Sequence, residues 1–430
     1  MSAGSYQSPI SPGRSWYEDS AGERPRYPRL DGSIEVDTLI VGGGFTGLSA
    51  ALHLAGRGVR VALLEAARLG DGASGRNGGQ FGTGQRQWPE DLEREVGLER
   101  SRALFAMTED AKTHLHEMMA AHGIEADYRP GQLSLAHKRR YVESYRRHAE
   151  ILTERYAYPH ARFLGREETE ARLGSPQYHA GVLDTGTGHL HPMKLLIGTG
   201  RAAARAGAAL HEETPVTRLH RRGAAIEAET PFGTVRAERA LMAVNAHGEG
   251  LSRANAAHVM PIRSFIAATE PLAEPDRVLP GGEAADDSRF VVRYFRKTPD
   301  NRLLFGGREA YSSAEGDIVG QIRRQVVSIY PHLADVGFTH AWGGSVGVTM
   351  PRMPYVASPE AGLTVIGGFS GHGVLLSHYT GRLYAERVLG NQDRLAELES
   401  LRIPAFPGGS ALRAPLLFLA MTWYALRDRF

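Results

Sequence analysis

Three glycines, Gly42, Gly44 and Gly47, have the residue type and spacing of a phosphate-binding turn. They form G-x-G-x-x-G directly after Ile34 to Val41, an apolar and mostly β-branched run that predicts a buried parallel strand. The first glycine permits a tight turn, the second lets a pyrophosphate approach the main chain, and the third lets the next helix pack against the strand. That helix, predicted from Thr46 to about Arg57, points its free amides at the phosphates.

A second predicted strand, Val59 to Leu64, ends at Glu65, a carboxylate placed to accept hydrogen bonds from both ribose hydroxyls of an adenosine. The strand, glycine turn, helix, second strand and acid together predict a dinucleotide site. The small-residue run from Gly70 to Gln80 favours FAD over NAD, because a flavin's pyrophosphate and ribityl chain must pass very close to main chain. The alternative for this run is a glycine-rich surface loop.

A second strand–glycine–helix unit lies near the C-terminus. Leu363 to Ile366 leads through GGFSGHG into a predicted helix from Val374 to Leu389. The amides around Gly371 and Gly373 can stabilise negative charge at the edge of a reduced flavin ring. His372 has two interpretations that the sequence leaves open: a positive charge beside the ring, or a helix-cap histidine bonded only to backbone.

Several segments carry a family resemblance: VGGGFTGLSAALHLA, GASGRNGGQ, RLLFGGR, AWGGSVGVTMPRMPYV and GGFSGHGV. They resemble motifs of the D-amino-acid-oxidase-type flavoproteins, and within that family the gamma-glutamylputrescine oxidoreductase branch. The resemblance covers essentially the whole chain. It implies an FAD-dependent oxidoreductase acting on CH–NH or CH–NH2 donors, with a gamma-glutamylputrescine-like or related primary amine of polyamine catabolism as substrate. The implied products are an aldehyde, an amine or ammonia, and hydrogen peroxide.

The predicted cofactor residues follow from these motifs. The resemblance assigns the main chain of Val216 to the adenine, and Asn245 and Ala246 follow a predicted strand at the edge where ligands collect in open α/β sheets. Noncovalent FAD is expected, because the chain has no cysteine and GASGRNGGQ has no histidine. The predicted cofactor-binding residues are Gly42, Gly44, Phe45, Thr46, Gly47, Glu65, Ala66, Ala73, Ser74, Arg76, Asn77, Gly78, Gly79, Val216, Asn245, Ala246, Gly371, His372, Gly373 and Val374.

The substrate side is predicted from aromatic and cationic side chains. An aromatic pocket would disfavour the ammonium form of an amine, although buried aromatics more often belong to cores. The candidates for its wall are Tyr294, Phe295, Tyr311, Trp342 and Phe369. Those for holding a substrate carboxylate, each alternatively a solvated charge, are Arg293, Arg296, Lys297 and Arg352. We predict His372, Trp342 and Tyr294 as catalytic residues, and Arg296, Arg352 and Phe369 as substrate-binding residues. Histidine spacing predicts no metal site.

Three competing functions stay open at this point. The chain could be a sarcosine- or glycine-type secondary-amine or amino-acid oxidase. It could be a membrane-associated FAD dehydrogenase that passes electrons to a carrier rather than to oxygen. It could also bind a flavin without being an enzyme.

The composition excludes several classes. The chain has 430 residues, a net charge of +2 and no basic run interleaved with aromatics, which argues against nucleic acid. The lack of cysteine and of a secretory signal in MSAGSYQSPISPG predicts a cytoplasmic protein. No apolar stretch reaches the ~18 residues of a membrane-spanning helix. The apolar segment 415–426 is expected to dock on its own protein, with self-association or peripheral membrane contact as alternatives.

The elements that must position these residues predict an α/β composite fold. A Rossmann-like FAD-binding domain of the glutathione-reductase-like type is interleaved with an antiparallel-sheet substrate domain. We predict an N-terminal arm (1–33), an FAD-binding domain (34–88, 186–261 and 336–395), a substrate domain (89–185 and 262–335) and a C-terminal tail (396–430). We also predict one helical region from Pro89 to about Gly123, and separate strands at Thr234 to Arg236 and at Ala240 to Val244.

Overall fold

The computed structural model describes residues 8–310, 317–391 and 393–407. Across these ranges the chain forms two sheets, their helices and several short 3₁₀ turns. The strands are β1 (Gly13–Arg14), β2 (Ile34–Val41), β3 (Val61–Leu64), β4 (Gln80–Phe81), β5 (Arg129–Ala136), β6 (Ala161–Leu164), β7 (Ala180–His189), β8 (Ala209–His211), β9 (Arg218–Arg222), β10 (Ala225–Thr230), β11 (Gly233–Met242), β12 (Met260–Thr269), β13 (Ala284–Asp287), β14 (Tyr294–Lys297), β15 (Leu303–Ala310), β16 (Phe338–Val348), β17 (Tyr355–Glu360) and β18 (Leu363–Gly367). The helices are α1 (Trp16–Ser20), α2 (Phe45–Ala55), α3 (Pro89–Val96), α4 (Leu98–His122), α5 (Val142–Tyr156), α6 (Arg166–Leu173), α7 (Pro192–Arg205), α8 (Arg253–His258), α9 (Ile318–Ile329), α10 (Gly373–Val388) and α11 (Leu395–Glu399).

The smaller sheet has eight strands, with β17, β18, β11, β2, β3 and β8 side by side and the β9–β10 hairpin attached to β11. The five strands from β18 to β8 run parallel. Their carboxyl ends therefore meet at one edge, where α/β sheets bind ligands. Strand β2 is apolar and buried over its second half because both faces of a parallel sheet are covered.

The larger sheet has ten strands, in the order β1, β16, β12, β15, β14, β13, β5, β7 and β4, with β6 paired to β7. Its pairs are antiparallel except β13 with β5. One face is apolar and packs against α9 through side chains such as Phe295, Phe305 and Ile322. The other face is turned toward the smaller sheet's unit and bears the polar residues described below. The predicted α/β composite with an FAD-type unit and an antiparallel second sheet is confirmed.

Two local predictions differ from the structure. The strands predicted at Thr234 to Arg236 and Ala240 to Val244 form the single strand β11, which pairs with β10 and lies between β2 and β18. The helix predicted from Pro89 to Gly123 is two helices, because Gly97 has a φ of +82° that ends α3 before α4 begins.

The division of the chain between sheets differs from the predicted boundaries. Strand β16 lies in the larger sheet between β1 and β12, although 336–395 was assigned to the FAD-binding domain. The described part of the N-terminal arm packs on the larger sheet: β1 pairs with β16, and the side chains of Trp16 and Tyr17 are buried. Tyr311 and the segment 415–426 lie outside the described residues. None of the helices in the described ranges is long and apolar enough to cross a membrane.

Candidate active site

The turn after β2 has the close contacts that its glycines were predicted to permit. Gly42 has a φ of +109°, and a Cβ there would lie 2.7 Å from the Ala243 carbonyl oxygen of the neighbouring strand. A Cβ on Gly47 would lie 2.0 Å from the Gly42 carbonyl oxygen, so the third glycine is what lets α2 start against the turn. The Ser74 hydroxyl accepts the Phe45 amide at 3.0 Å and caps this helix end.

Glu65 stands at the end of β3 beside this turn. Its Oε2 accepts the Gly43 amide at 2.7 Å and its Oε1 accepts the Ala67 amide at 3.0 Å. Burial raises the pKa of this carboxyl, and the hydrogen bonds from the two backbone amides oppose that rise. A carboxylate oxygen has more than one acceptor site, so both oxygens can still accept a ribose hydroxyl.

A cleft extends from the glycine turn over the carboxyl ends of the parallel strands. The space between its walls is about 850 Å³, which includes the part that is open to solvent. It fits the adenosine and pyrophosphate half of FAD, since its walls combine glycine main chain, a helix N-terminus and one carboxylate. Of the predicted cofactor residues, it is lined by Gly42, Gly44, Glu65, Ala66, Ala73, Ser74, Val216 and Asn245. Gly43, Gly70, Gly72, Ala243, His247 and Ser345 also line it without having been predicted.

Asn245, just after β11, lines this cleft and connects the end of β18 to α8. Its Oδ1 accepts the Gly368 amide at 2.8 Å and its carbonyl accepts Asn255 Nδ2 at 3.1 Å. Its φ of +48° is one that asparagine tolerates better than most residues. Ala246 beside it is buried and does not line the cleft.

Arg76 does not direct its side chain along the cofactor path. Its guanidinium is buried and binds the carbonyl oxygens of Gly343, Pro12 and Gly13 at 2.5–2.7 Å, and Glu18 at 3.1 Å. The guanidinium therefore fastens the N-terminal arm to the loop, and only the main chain of Arg76 can contact a flavin. The Asn77 side chain is also internal to the loop, where it bonds Ala73, Ser74 and Gly79.

Arg296 was predicted to bind substrate, and the structure contradicts this. Its guanidinium donates to Gly78 O at 2.7 Å, Leu190 O at 3.1 Å and the Tyr17 hydroxyl at 3.1 Å. The side chain is 3% exposed, so it organises the loop of Gly78 and Gly79 instead of facing a ligand. The side chain of Lys297 likewise bonds main chain, since its Nζ donates to Pro275 O.

Three of the proposed aromatic wall residues are core residues. Trp342 is fully buried, and its indole N–H donates to Arg76 O at 3.0 Å, so it supports the loop from below. Phe295 stacks on Phe305 on the covered face of the larger sheet. Phe369 is buried beneath the start of α10, 3.2 Å from where a Cβ of Gly373 would lie. The predicted catalytic role of Trp342 and substrate role of Phe369 are therefore replaced by packing roles.

Tyr294 keeps a place at the candidate site. Its ring lies over the loop, 2.9 Å from where a Cβ of Gly78 would stand, and its hydroxyl is 3.1 Å from Ser264 Oγ. Arg352 is partly exposed, with a φ of +58° and its guanidinium 5.0 Å from the Phe290 ring centroid. Arg352 does not line the cleft, and its predicted substrate-binding role stays a prediction.

His372 is held by main chain. Its Nε2 donates to Gly84 O at 3.0 Å, across to the loop that follows β4. Burial lowers the pKa of His372 to about 4, and the nearby Arg86 adds to this. This favours the interpretation of His372 as a histidine bonded to backbone over that of a positive charge beside the ring. Gly371 is exposed at a φ of +86°, and α10 begins at Gly373, with Val374 buried in its first turn.

A polar patch on the larger sheet was missed by the sequence analysis. Gln132, Ser134 and Asp286 lie on the face turned toward the loop, and Gln132 Nε2 donates to Asp286 Oδ2 at 2.6 Å. Nearby, Lys112 Nζ donates to Thr83 Oγ1 at 2.7 Å and to the Tyr158 hydroxyl at 3.1 Å. Gln132, Ser134 and Asp286 are brought together only by the register of β5, β13 and β14. The sequence of each strand taken separately therefore does not indicate this patch.

One group of possible metal ligands occurs in the described ranges: His220, Glu227 and Glu229 on the β9–β10 hairpin. Arg222 forms an ion pair with Glu227, and Arg218 with Glu229. These arginines already neutralise the carboxylates, and the group lies on the hairpin rather than beside the cleft.

Comparison with known proteins agrees with this geometry. Residues 37–387 match the DAO family, described as FAD dependent oxidoreductase. The chain is 56% identical to the probable oxidoreductase OrdL of Rhizobium meliloti, over 99% of this chain and 100% of that protein. It is 33% identical to the gamma-glutamylputrescine oxidoreductase of Escherichia coli, over 96% and 98%. Its fold is similar to the crystal structure of glycine oxidase from Geobacillus kaustophilus, with a TM-score of 0.71, 24% identity and coverage of 86% and 99%.

The family match spans far more than half of the chain, and it includes the glycine turn, Glu65 and the start of α10. The cleft supplies independent support, since glycine main chain, a helix N-terminus and a buried acid line it. The chain belongs to the DAO family of FAD-dependent oxidoreductases.

Proposed function

We propose that the protein oxidises a C–N bond of a γ-glutamylated diamine or a related primary amine, with FAD held noncovalently, in the cytoplasm. The similarity to gamma-glutamylputrescine oxidoreductase over nearly the full length supports this substrate class. The observation that carries it is the polar patch facing the loop of Gly78, because an amine with a charged and hydrogen-bonding tail needs polar groups beside the reacting centre.

FAD, when bound, would supply the hydride acceptor for the carbon that bears the nitrogen, and a route for the electrons to oxygen or to a carrier. The chain's own residues perform the positioning. Arg296 and Asn77 fix the loop of Gly78 and Gly79, and Tyr294 packs on that loop. Amides at the start of α10 are placed to stabilise negative charge, because a helix N-terminus carries a partial positive charge.

A secondary-amine or amino-acid oxidase is the second candidate. The fold similarity to glycine oxidase favours it as an alternative, although it bears on the fold alone. Arg352 is the residue we assign to the carboxylate of such a substrate, because guanidinium groups form bidentate hydrogen bonds with carboxylates.

Anaerobic loss of flavin absorbance tests the proposal. We expect γ-glutamylputrescine to reduce the bound flavin faster than putrescine, sarcosine or glycine at equal concentration. Faster reduction by sarcosine or glycine would replace the proposed substrate by the second candidate. Failure of every amine would leave a flavin-binding protein. Acid precipitation of the same sample should release the FAD into the supernatant, and flavin retained by the precipitate would contradict noncovalent binding.

A further inference from the structure

The loop-facing side of the larger sheet carries a group of hydrogen-bond acceptors that the flavin cleft does not use. Strand pairing places Asp286 opposite Tyr294 on β14 and opposite Ser134 on β5. Residues directly opposite in a sheet project from the same face. Their neighbours along the strands, Ala285 and Phe295, are buried in the core on the other face.

This group lies beside the loop that the flavin is expected to follow. Tyr294 packs on Gly78, and Gln132 approaches the same loop four residues later. A Cβ on Gly82 would lie 3.8 Å from Gln132 Oε1 and 3.0 Å from His372 Cε1. Gln132 and Asp286 therefore face the space between their own strands, the segment from Gly78 to Gly82 that contains β4, and the start of α10.

The hydrogen bonds of Gln132 are incomplete on one side. Its Nε2 donates to Asp286 Oδ2 at 2.6 Å, which fixes the orientation of the amide because a carboxylate accepts and does not donate. Its Oε1 is buried and has no donor among the described residues, and the side chain is only 8% exposed. A buried carbonyl without a donor is costly, so the site calls for an N–H or O–H from a ligand.

The charge of Asp286 selects which ligand. Burial, with a smaller contribution from Asp287, raises the pKa of Asp286 to about 6, although hydrogen bonds from Ser134 and Gln132 and the charge of Arg86 favour the ionised form. The carboxyl is therefore ionised at pH 7 to 8. A second carboxylate would be repelled by it, a neutral alcohol would satisfy few acceptors, and a primary ammonium offers three donors and a positive charge.

We propose that Asp286 and Gln132 form an ammonium-binding subsite for the amine substrate. The inference rests on the proposed function, which supplies the cationic substrate. It adds a carboxylate–amide pair to the site, whereas the predicted substrate residues Arg296 and Arg352 are both cationic. The subsite binds the ammonium form of the substrate against the segment from Gly78 to Gly82, and this nitrogen loses its proton before the hydride leaves, because hydride is transferred only from the neutral amine.

The test uses tert-butylamine with the FAD-loaded protein at pH 8. This amine is protonated, but its nitrogen-bearing carbon has no hydrogen, so it can bind without being oxidised. Calorimetry should show that it binds more tightly than neutral tert-butanol. Asp286→Asn should weaken tert-butylamine binding at least about tenfold, and Gln132→Leu should weaken it less, as expected for hydrogen bonds to a charged group.

Two matched variants serve as controls. Asp286→Glu keeps the charge and should retain most of the preference for tert-butylamine over tert-butanol. Asp276→Asn removes an exposed carboxylate from the same half of the molecule and should leave both affinities unchanged. Melting temperature and FAD content confirm that each variant is folded. If Asp286→Asn does not load FAD, Gln132→Leu decides the question by the same comparison.

Unchanged binding of tert-butylamine to Asp286→Asn would overturn the subsite, as would equal affinity of the parent protein for tert-butylamine and tert-butanol. These results are separable from failure of the proposed function. Tight, Asp286-dependent binding without flavin reduction by any amine would retain the subsite and remove the amine-oxidising function. Rapid reduction by γ-glutamylputrescine with unchanged binding to Asp286→Asn would do the reverse.

Discussion

Arg76 and Arg296 show how buried charges act in this protein. Both direct their guanidinium groups at main-chain carbonyl oxygens of segments far away in the sequence. Such a charge is stable in a buried position only while its hydrogen bonds are made. These arginines therefore set the path of the loop that precedes β4, and through it the path available to a flavin.

Replacing Arg296 by Met should weaken FAD binding and lower stability together. Gly78 O, Leu190 O and the Tyr17 hydroxyl would lose their donor, at a cost of about 2–4 kcal/mol in the free energy of unfolding. Urea unfolding and FAD titration measure the two effects. Arg277→Met, which removes an exposed ion pair with Glu274, is the control and should change neither. A variant with normal stability but impaired amine binding would restore Arg296 as a substrate residue.

Glu65→Gln tests the ribose assignment. We expect a loss of about 1–3 kcal/mol in FAD affinity, because a neutral amide forms weaker hydrogen bonds to the ribose hydroxyls than a carboxylate does. Fluorescence titration of the apoprotein with FAD measures this. Glu238→Gln, an exposed residue on β11, should leave the affinity unchanged. An unaltered dissociation constant for Glu65→Gln would show that Glu65 is not at the ribose.

His372→Ala separates a structural from an electrostatic role. The imidazole is neutral at pH 7 and bonds Gly84 O, so we expect a loss of about 1 kcal/mol in stability and a flavin midpoint potential within about 30 mV of the parent value. A potentiometric titration and a melting curve are the measurements. His372→Gln, which keeps an N–H donor, should recover part of the stability. A fall in potential well beyond 30 mV would return a charged His372 to the edge of the flavin.

At the scale of elements, the glycine turn is the feature that sequence reasoning describes best. Strand β2, the turn and α2 are consecutive, so their chemistry depends on neighbours in the chain, and their positions agree with prediction to within a few residues. The roles of Arg296 and Trp342 were wrong because their partners, Gly78 and Arg76, are more than 200 residues away. Residue type alone cannot say whether a cation meets a carbonyl or a ligand.

The polar patch could not be predicted for a related reason. Asp286 and Ser134 become neighbours through a parallel pairing of β13 with β5, a contact between segments about 150 residues apart. A register shift of one residue would send Asp286 to the opposite face of the sheet. The residue is thus placed by topology and not by any local motif.

Gly47→Ala tests whether the close start of α2 is required. The added Cβ would lie 2.0 Å from Gly42 O, so the helix must shift away from the turn, and we expect at least a tenfold loss of FAD affinity, about 1.4 kcal/mol or more. Gly165→Ala is the matched control at another helix start, where a Cβ meets no atom within 4 Å and φ is −66°. FAD titration of both variants, with melting curves, makes the comparison. Normal FAD affinity in Gly47→Ala would refute the need for this contact.

At the scale of the whole molecule, the two sheets are joined by helices that bury histidines. His53 on α2, His114 on α4 and His378 on α10 lie together, with ring centroids 5.1 Å apart for the first pair and 5.5 Å for His114 and His378. Arg382 donates to His114 Nδ1 at 3.0 Å, and Thr199 Oγ1 lies 3.4 Å from His378 Nε2. The junction thus depends on neutral imidazoles next to a fixed positive charge.

This junction should make the protein sensitive to acid. Burial, with the surrounding cations, lowers the pKa of His53 to about 4, of His114 to about 2 and of His378 to about 3. The folded-state pKa values are below the usual 6.5. The three histidines are therefore neutral in both states above pH 6.5, and the protein loses stability as the pH falls toward 4, because protons bind to the unfolded chain first. The cations that lower these pKa values are Arg382, Arg57 and His122. Tyr379 contacts His114, and Glu386 pairs with Arg382 at 2.8 Å, so the carboxylate offsets part of the arginine charge but does not bond the imidazoles.

The measurement is urea unfolding of the parent protein and of His378→Gln at pH 8, 6.5, 5 and 4. Subtracting the free energy of unfolding of one protein from that of the other at each pH cancels the contributions of Asp286, Glu65 and the other titrating groups that both proteins have. We expect the free energy of unfolding of the parent to fall by about 2–3 kcal/mol relative to His378→Gln between pH 6.5 and 4. In this range the unfolded parent binds a proton at His378 that the folded parent does not bind, and glutamine binds none in either state. His160→Gln, at an exposed histidine outside the junction, is the control and should follow the parent at every pH. Parallel pH profiles for the parent and His378→Gln would show that the histidines at the junction do not set its acid stability.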